Sequence, residues 1–440
     1  MTQGSTDTSW HVAVLTAFAT LMVMTTLRNS GITFVGLMEE FNANRESSSW
    51  PISIQVASIH ASALIVGMLQ KRLSVIHIGL IGSVLVWSGL IASAFAPNLV
   101  VMSLTYGLLH GSGIGMVVVT LVVIIMSNFD KYRGTASGIR YIGETVSIVV
   151  FPKLLVYLEQ KYGFRGMLLI LGGILMHTTV CLFPFTEPTF EKRVSGPPEN
   201  GHTPTTADTS GGLLTASGST TRLVDPETAN QSKTSKLYSV RLKDFARPWL
   251  YLMILSGVTA HFTHNIFLTT IIDFALDQGV TLNDGASIIA YSSIPDLLGG
   301  LVLPILADKG LLGRGSLVMC SHFLLGLFMI ILPKSTNFIV VLSVSLCVVM
   351  FVACVINMKT VLMADHLGIE MVSFAIGLSG LVILPLLIGS PFIVGLFRDH
   401  LGAYDNLYRA LGGFNCLVGF IFFVPVCSQN LRRNSRTTVD

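Results

Sequence analysis

The sequence predicts an all-α membrane protein of twelve transmembrane helices arranged as two pseudo-symmetric six-helix halves. Three observations carry that expectation: a composition too apolar for water, twelve apolar segments of bilayer length, and glycine and proline landmarks that repeat between the two sets of six. Of the 440 residues, 51% are hydrophobic and 12% charged, the mean hydropathy is +0.70, and ordinary globular chains carry about 25% charged residues. A net charge of +3 spread thinly along the chain excludes a nucleic-acid binder, and the unbroken apolar excess excludes a disordered chain or a secreted disulfide scaffold. The lipid bilayer is the solvent that this composition implies. Cys181, Cys320, Cys347, Cys354, Cys416 and Cys427 lie in or beside apolar runs, with no CxxC or metal-ligand spacing. They read as small buried hydrophobes, and no metal or cofactor is expected.

A span needs about 20 mostly apolar residues, because a helix rises about 1.5 Å per residue through a hydrocarbon core about 30 Å thick. The segments that qualify are, in order, 11–37, 50–69, 75–95, 99–127, 134–157, 166–185, 248–275, 285–307, 315–333, 337–363, 371–397 and 407–427. The polar first ten residues lack the charged n-region and short apolar core of a cleaved signal peptide, so the first span is expected to stay in the mature protein. Residues 186–247 interrupt the series with Ser, Thr, Pro, Gly and Asn and hold no apolar run long enough to pack. They read as a disordered linker between an N-terminal half, 1–185, and a C-terminal half with a short tail, 248–440. Alternate loops carry an excess of Lys and Arg, including Lys71, Arg72, Lys131, Arg133, Lys309, Arg314 and Arg432, which places both termini and the linker in the cytoplasm. The Asn230-Gln231-Ser232 sequon would then stay unmodified.

Landmarks of the fifth span return in the eleventh. Gly138, Pro152 and Gly163 recur at one constant spacing as Gly377, Pro391 and Gly402, and Gly172-Gly173 returns one place out of step as Gly412-Gly413. Parallel halves with a binding site at their interface are the major facilitator architecture. Gly107, Gly111, Gly113 and Gly115 cluster in the fourth span, where missing Cβ atoms let helices approach closely.

Charges inside a bilayer cost at least about 2.5–3.5 kcal/mol each at a helix centre, so each is a functional candidate. Arg28 stands well inside the first span. Arg140 and Glu144 are four apart in the fifth and can pair on one helical face. Asp296 follows Pro295 in the eighth, where the missing proline amide loosens the helix. A guanidinium takes a carboxylate through two parallel hydrogen bonds, so Arg28 and Arg140 point to an anionic solute. Asp296 and Glu144 are the candidate proton carriers, because an anion bound beside the cation tips a buried carboxyl toward protonation. Arg28 and Asp296 also read as a salt bridge between the halves that opens and closes without touching solute. Asn357 and Lys359 either line a vestibule or, for Lys359, snorkel to the interface. His60, His110, His177, His261, His264 and His322 lie in or near spans; His261 and His264 share a face, and bonding to a neighbouring helix is the commoner role.

Several motifs add a resemblance. Asp7 and Trp10 precede the first span; Phe129, Lys131, Arg133, Ala136, Gly138 and Gly143 open the fifth; Gly163-Phe164-Arg165-Gly166 ends that hairpin; Gly389-Ser390-Pro391, Gly395, Asp399, Gly402 and Tyr404 close the eleventh. In these the chain resembles the monocarboxylate transporter family, a branch of the major facilitator superfamily, over nearly everything but the linker. The resemblance implies secondary transport of small organic anions, most of all monocarboxylates, with proton coupling through Asp296. It further implies residence in the plasma membrane and, for some members, a single-span ancillary glycoprotein. The first-span motif lacks the family's glycines and Phe164 replaces a tryptophan, and two departures bear on the site. Arg28 stands where proton-coupled members carry a lysine, and arginine does not lose its proton in proteins. Gly300 stands where the family has the arginine that holds the substrate carboxylate, so Arg28 or Arg140 supplies that cation, or the solute is not a simple monocarboxylate. Some members take aromatic amino acids, thyroid hormones, creatine or carnitine.

Lys71 and Arg72 in one half, and Asp308 and Lys309 in the other, resemble gating loops at corresponding places; ordinary positive-inside residues are the plainer reading. The alternatives to an anion carrier are a facilitator of a neutral or zwitterionic, amino acid-like solute, and a non-transporting sensor or chaperone that kept the fold. No nucleophile with a base, metal spacing or phosphate loop points to an enzyme.

Overall fold

Backbone N–H and C=O groups in a bilayer must be satisfied within their own segment, and the chain meets that demand with helices at every expected span. The computed structural model describes residues 7–43, 45–70, 72–185, 247–279 and 282–437. The first span is three helical pieces, Trp10–Val23, Thr25–Arg28 and Ser30–Phe41. The second is Arg45–Leu69 and the third Val75–Ala94. The fourth joins Leu99–Met102, a widened π segment Ser103–His110, and Gly111–Asn128. The fifth and sixth form one helical stretch, Arg133–Leu175, bent at Gly163 with φ 71°, and His177–Leu182 completes the sixth. The seventh is Pro248–Asp277; the eighth is Leu282–Leu297, a π turn Leu298–Val302, and Leu303–Asp308. The ninth to twelfth are Arg314–Ile331, Phe338–Leu367, Ile369–Gly395 and Asp405–Thr437. The tenth and twelfth run past their apolar segments, since polar helix ends need no membrane. Of the stretch 186–247, including Asn230, only Arg247 lies within the described residues.

Among the described residues eight helices are long and apolar enough to cross a bilayer, and one of them, Arg133–Leu182, is the fifth and sixth spans together. The spans that fall short are the first, seventh and eighth. Each is short of the mark for a local reason: breaks around Met24 and Asn29 in the first, His261, His264 and Asn265 in the seventh, and Asp296 with the π turn in the eighth. The polar positions that weaken these helices as membrane spans are the ones that furnish the interior described below.

The repeated glycines make matching contacts. A Cβ on Gly138 of the fifth span would lie 2.9 Å from the Gly300 carbonyl oxygen in the eighth, and one on Gly377 of the eleventh 2.4 Å from Leu64 Cα in the second. Likewise Gly172 meets Ile91 and Gly412 meets Ile330, each at 2.6 Å. Gly163 and Gly402 both hold positive φ, 71° and 79°, a conformation glycine adopts without steric cost. The fourth-span glycines serve packing: Gly107, Gly111 and Gly115 abut the second span, and Gly113 abuts the third. One apolar core, with Val86, Leu90 and Tyr106, is built from residues before the linker, and another, with Phe274, Val348 and Tyr408, from residues after it. A third core mixes both, joining Val122, Ile125 and Phe129 to Leu250, Met358 and Leu362.

Candidate functional site

The first and fifth spans touch at Gly143, where a Cβ would sit 1.9 Å from the Ala17 carbonyl oxygen. Asn29, which breaks the first span, reaches across with its amide to the Ser147 carbonyl at 3.3 Å. This close approach aims Arg28 at the fifth span, and Arg28 forms an ion pair with Glu144. The expected Arg140–Glu144 pair is therefore not the one formed: Glu144 is taken by a neighbouring helix. Arg140 is 6% exposed; it has no ion pair among the described residues, and its Nε is buried without a hydrogen-bond partner.

Asp296, 5% exposed, is not in ion-pair contact with Arg28. Its carboxylate accepts from the Tyr141 hydroxyl at 2.9 Å and the Thr145 hydroxyl at 2.8 Å. Tyr141 and Thr145 each follow one residue after Arg140 and Glu144, so adjacent stripes of one helix carry the charges and the hydroxyls. The expected inter-half tie through Asp296 is present, made by hydroxyls rather than by arginine. Tyr141 also accounts for Gly300: a Cβ there would meet the tyrosine ring at 2.3 Å, so no arginine fits while Tyr141 holds Asp296. The π turn leaves the Gly300 carbonyl to accept from the Asn357 amide at 2.6 Å, and Asn357 in turn accepts from the Ser137 hydroxyl at 2.6 Å. Lys359, two residues on, does not snorkel. It is 8% exposed, with Nζ 3.3 Å from the position a Gly257 Cβ would take, and it makes neither hydrogen bond nor ion pair among the described residues.

Two histidines are structural. His110 bonds the Thr26 hydroxyl and the Val86 carbonyl at 2.8 and 2.7 Å, and His322 bonds Ser256 and Asn415 at 2.8 and 3.1 Å. His177 turns back on its own helix at the Ile174 carbonyl. His60 packs against Gly380, His261 stands one turn beyond Gly257, and His264 Nδ1 is buried without a partner.

A second cluster lies where loop 128–133 meets the ends of the eighth and tenth spans. Asp308, with a side chain 1% exposed, accepts from the Thr135 amide at 2.6 Å and hydroxyl at 2.9 Å, at the first turn of the fifth span, where helix N–H groups and dipole favour an anion. Arg314 bonds Asp308 and Asp365, each at 2.9 Å, and the Lys131 carbonyl at 2.6 Å. Arg133 pairs with Asp365 at 2.7 Å. The halves are thus locked at this end. Of the expected gating residues only Asp308 takes part: Arg72 and Lys309 are exposed, and Lys71 lies outside the described residues. In the equivalent place in the other half, Gln70 donates to Ser373 at 2.9 Å near the start of the eleventh span. Arg133, Thr135, Arg314 and Asp365 were not expected as gating residues, and the only signal was the Lys/Arg excess in these loops. At the opposite end Arg165–Glu40 and Arg398–Asp277 each stay within one half.

Asp7 braces the same loop, accepting from the backbone N–H groups of Asp130, Lys131 and Tyr132 at 3.0, 3.2 and 3.1 Å. Burial opposes its charge, but those three donors and nearby Arg133 outweigh it and hold the carboxyl below its usual range. The brace is therefore complete at neutral pH and is lost as pH falls through that lowered value, below the ordinary aspartate pKa of about 4. Asp7→Ala is expected to speed hydrogen exchange at amides 130–132 by roughly 5- to 10-fold, equivalent to about 1 kcal/mol. Unchanged exchange in the variant would remove this role.

The family model for the Major Facilitator Superfamily matches residues 16–386. Monocarboxylate transporter 14 of Homo sapiens is 24% identical, across 98% of this chain and 93% of that protein. Monocarboxylate transporter 12-B of Danio rerio is 22% identical, across 98% and 90%. A proton:xylose symporter, XylE, solved with 6-bromo-6-deoxy-D-glucose, superposes with a TM-score of 0.69 at 12% identity, covering 95% of this chain and 96% of that one. The transporter FucP in its outward conformation gives 0.67 at 12% identity. At such identity the likeness of the structures shows the fold alone.

Proposed function

Since this chain belongs to the Major Facilitator Superfamily, we propose that it carries small organic anions, monocarboxylates foremost, by alternating access and in company with a proton. The observation that supports this reading is Arg140: a buried guanidinium with no counter-ion among the described residues, beside a tyrosine that bonds Asp296 from the other half. An unpaired buried charge is retained at a cost of several kcal/mol, and an anionic solute supplies the missing partner. The charge counts against a neutral solute. It also counts against a scaffold that binds nothing, which has no use for it. Arg28 is then a positioning residue, its charge already spent on Glu144.

Asp296 is the proton carrier in this reading. While ionised it receives two hydrogen bonds from the other half, and bonds to an ionised acceptor are roughly twice as strong as neutral ones. Taking up a proton as the anion arrives at Arg140 weakens both ties at once and frees the eighth span from the fifth. Solute, proton and opening are thereby linked at one carboxyl. The Asp308–Arg314–Asp365–Arg133 network is the gate that must break in the opposite half-cycle, on the cytoplasmic side if the Lys and Arg excess sets the orientation.

The test is uptake of labelled lactate and pyruvate by proteoliposomes, with and without an inward proton gradient. Wild type is expected to respond to the gradient, and Asp296→Asn to lose that response while keeping its fold, since the amide still accepts from Tyr141 or Thr145. Wild-type protein that moves neither acid would remove the monocarboxylate assignment; gradient-independent uptake by wild type would remove the proton.

A further inference from the structure

Lys359 is a buried cation that the transport reading does not use, and the packing of its helix decides where it goes. Two residues before it in the tenth span, Asn357 bonds the Ser137 hydroxyl and the Gly300 carbonyl, which fixes that face of the helix against the fifth and eighth spans. A helix turns about 100° per residue, so Lys359 leaves on the opposite side, toward the seventh and eleventh. There it fills the space beside Gly257: its Cδ and Nζ lie 3.2 and 3.3 Å from where a Cβ would be, and Ser379 Oγ lies 3.0 Å from the same point. Both neighbouring helices are held in register by the next residue along. Ser256 bonds His322 at 2.8 Å, and Gly380 packs on His60 of the second span, whose Nδ1 is 3.2 Å from the missing Cβ.

The chemistry gathered here is one-sided. The ammonium brings three donors and no acceptor, the hydroxyl of Ser379 brings another donor, and glycine places no side chain between them. Lys359 is 8% exposed and Ser379 6%, and among the described residues no carboxylate pairs with the lysine. A charge so deeply buried is costly unless one of opposite sign stands beside it. One small ion in contact with both Nζ and Oγ would supply that charge and occupy both donors.

We propose that Lys359 and Ser379 form a binding site for a singly charged anion, separate from Arg140, filled either by chloride from solution or by a carboxylate in passage. A lone ammonium matches one negative charge, and its point-like head suits an ion approached from several directions, without the planar grip that arginine gives. Lys359 is six residues, about 9 Å along the helix, from Asp365 in the locked end, so an ion held here lies just inside that lock. The inference goes beyond the organic-anion reading and does not depend on it.

The experiment uses the purified full chain in detergent at constant ionic strength, with the bulky anion isethionate exchanged for chloride or acetate. Chloride is expected to raise the melting temperature of wild type saturably, by a few degrees once it exceeds its dissociation constant about a hundredfold. Lys359→Met is expected to melt no lower than wild type in isethionate, because it removes an unpartnered charge, and to bind chloride at least tenfold more weakly. Ser379→Ala keeps the charge and should weaken chloride several-fold, while Arg140→Gln should retain the chloride response in full. Broadening of the chloride NMR signal by the protein should rank the variants in the same order without heating. The acetate arm identifies the source. If only the chloride response depends on Lys359, the site holds an inorganic ion; if the acetate response depends on it too, the site also takes carboxylates. A wild-type melting temperature that responds to neither anion, or a chloride response unchanged in Lys359→Met, would overturn the inference. So would loss of the chloride response in Arg140→Gln, which would put the ion at the guanidinium. None of these measurements uses transport, so lactate uptake tests the organic-anion reading separately.

Discussion

Arg140→Gln is expected to abolish anion uptake while leaving the protein at least as stable as wild type, and Arg28→Gln to do the reverse in its primary effect. The two arginines stand on neighbouring helices in the same interior, yet their surroundings differ. Arg28 neutralises Glu144, so its removal leaves a buried carboxylate alone, at a cost of about 3–5 kcal/mol; melting should fall sharply, and any loss of uptake follows from that. Arg140 leaves nothing behind, because no described carboxylate pairs with it. The contact it makes with a bound carboxylate is worth about 2–5 kcal/mol, which corresponds to a loss of roughly 30- to several thousand-fold in affinity. Melting temperatures of purified variants, set beside lactate uptake, separate the two. Full uptake in Arg140→Gln would show that the unpaired guanidinium is not where the solute binds.

The backbone was legible because hydropathy reports the solvent directly: a segment of bilayer length has to be helical, and twelve such segments leave little freedom of architecture. Arg28, Arg140, Glu144 and Asp296 were legible for the same reason, as exceptions that lipid does not tolerate without use. Their pairing was not. Spacing along one helix offers Glu144 to Arg140, but the approach of the first span at Gly143 decides in favour of Arg28, and that approach depends on a missing Cβ meeting a particular carbonyl. The glycine at 300 reads in sequence as a lost function. In the fold it is the space that Tyr141 occupies in order to reach Asp296. Lys359 could not be told from a snorkelling lysine, since both sit a few turns from a helix end, and only the gap at Gly257 directs it inward. The locked end was hardest, because Arg133, Arg314 and Asp365 come from the ends of three separate helices with no common period, and charged residues at helix ends are ordinary in a membrane protein.

At that locked end the substitution with the largest consequence is Asp308→Ala. One carboxylate there accepts from the Thr135 amide and hydroxyl and from Arg314, joining the last turn of the eighth span to the first turn of the fifth. Its loss strands the Thr135 amide. Arg314 is left with Asp365 and the carbonyls of the 130–131 loop, so part of the cluster survives. A reduction of about 2–3 kcal/mol in the closed arrangement is expected, somewhat below the full cost of breaking a buried pair. That shifts the balance between closed and open by roughly 30- to 150-fold. Ser137, fully buried and bonded to Asn357 behind the gate, is the place to read it. A cysteine at 137 should react with a membrane-impermeant thiol reagent at least tenfold faster in the Asp308→Ala background, and only from the face that carries the termini. Labelling sealed vesicles of both orientations identifies that face, cytoplasmic if the distribution of Lys and Arg governs insertion. Equal labelling with and without Asp308 would mean that the Arg133–Asp365 pair holds this end shut unaided, and the gate would then be assigned to the tenth span rather than the eighth.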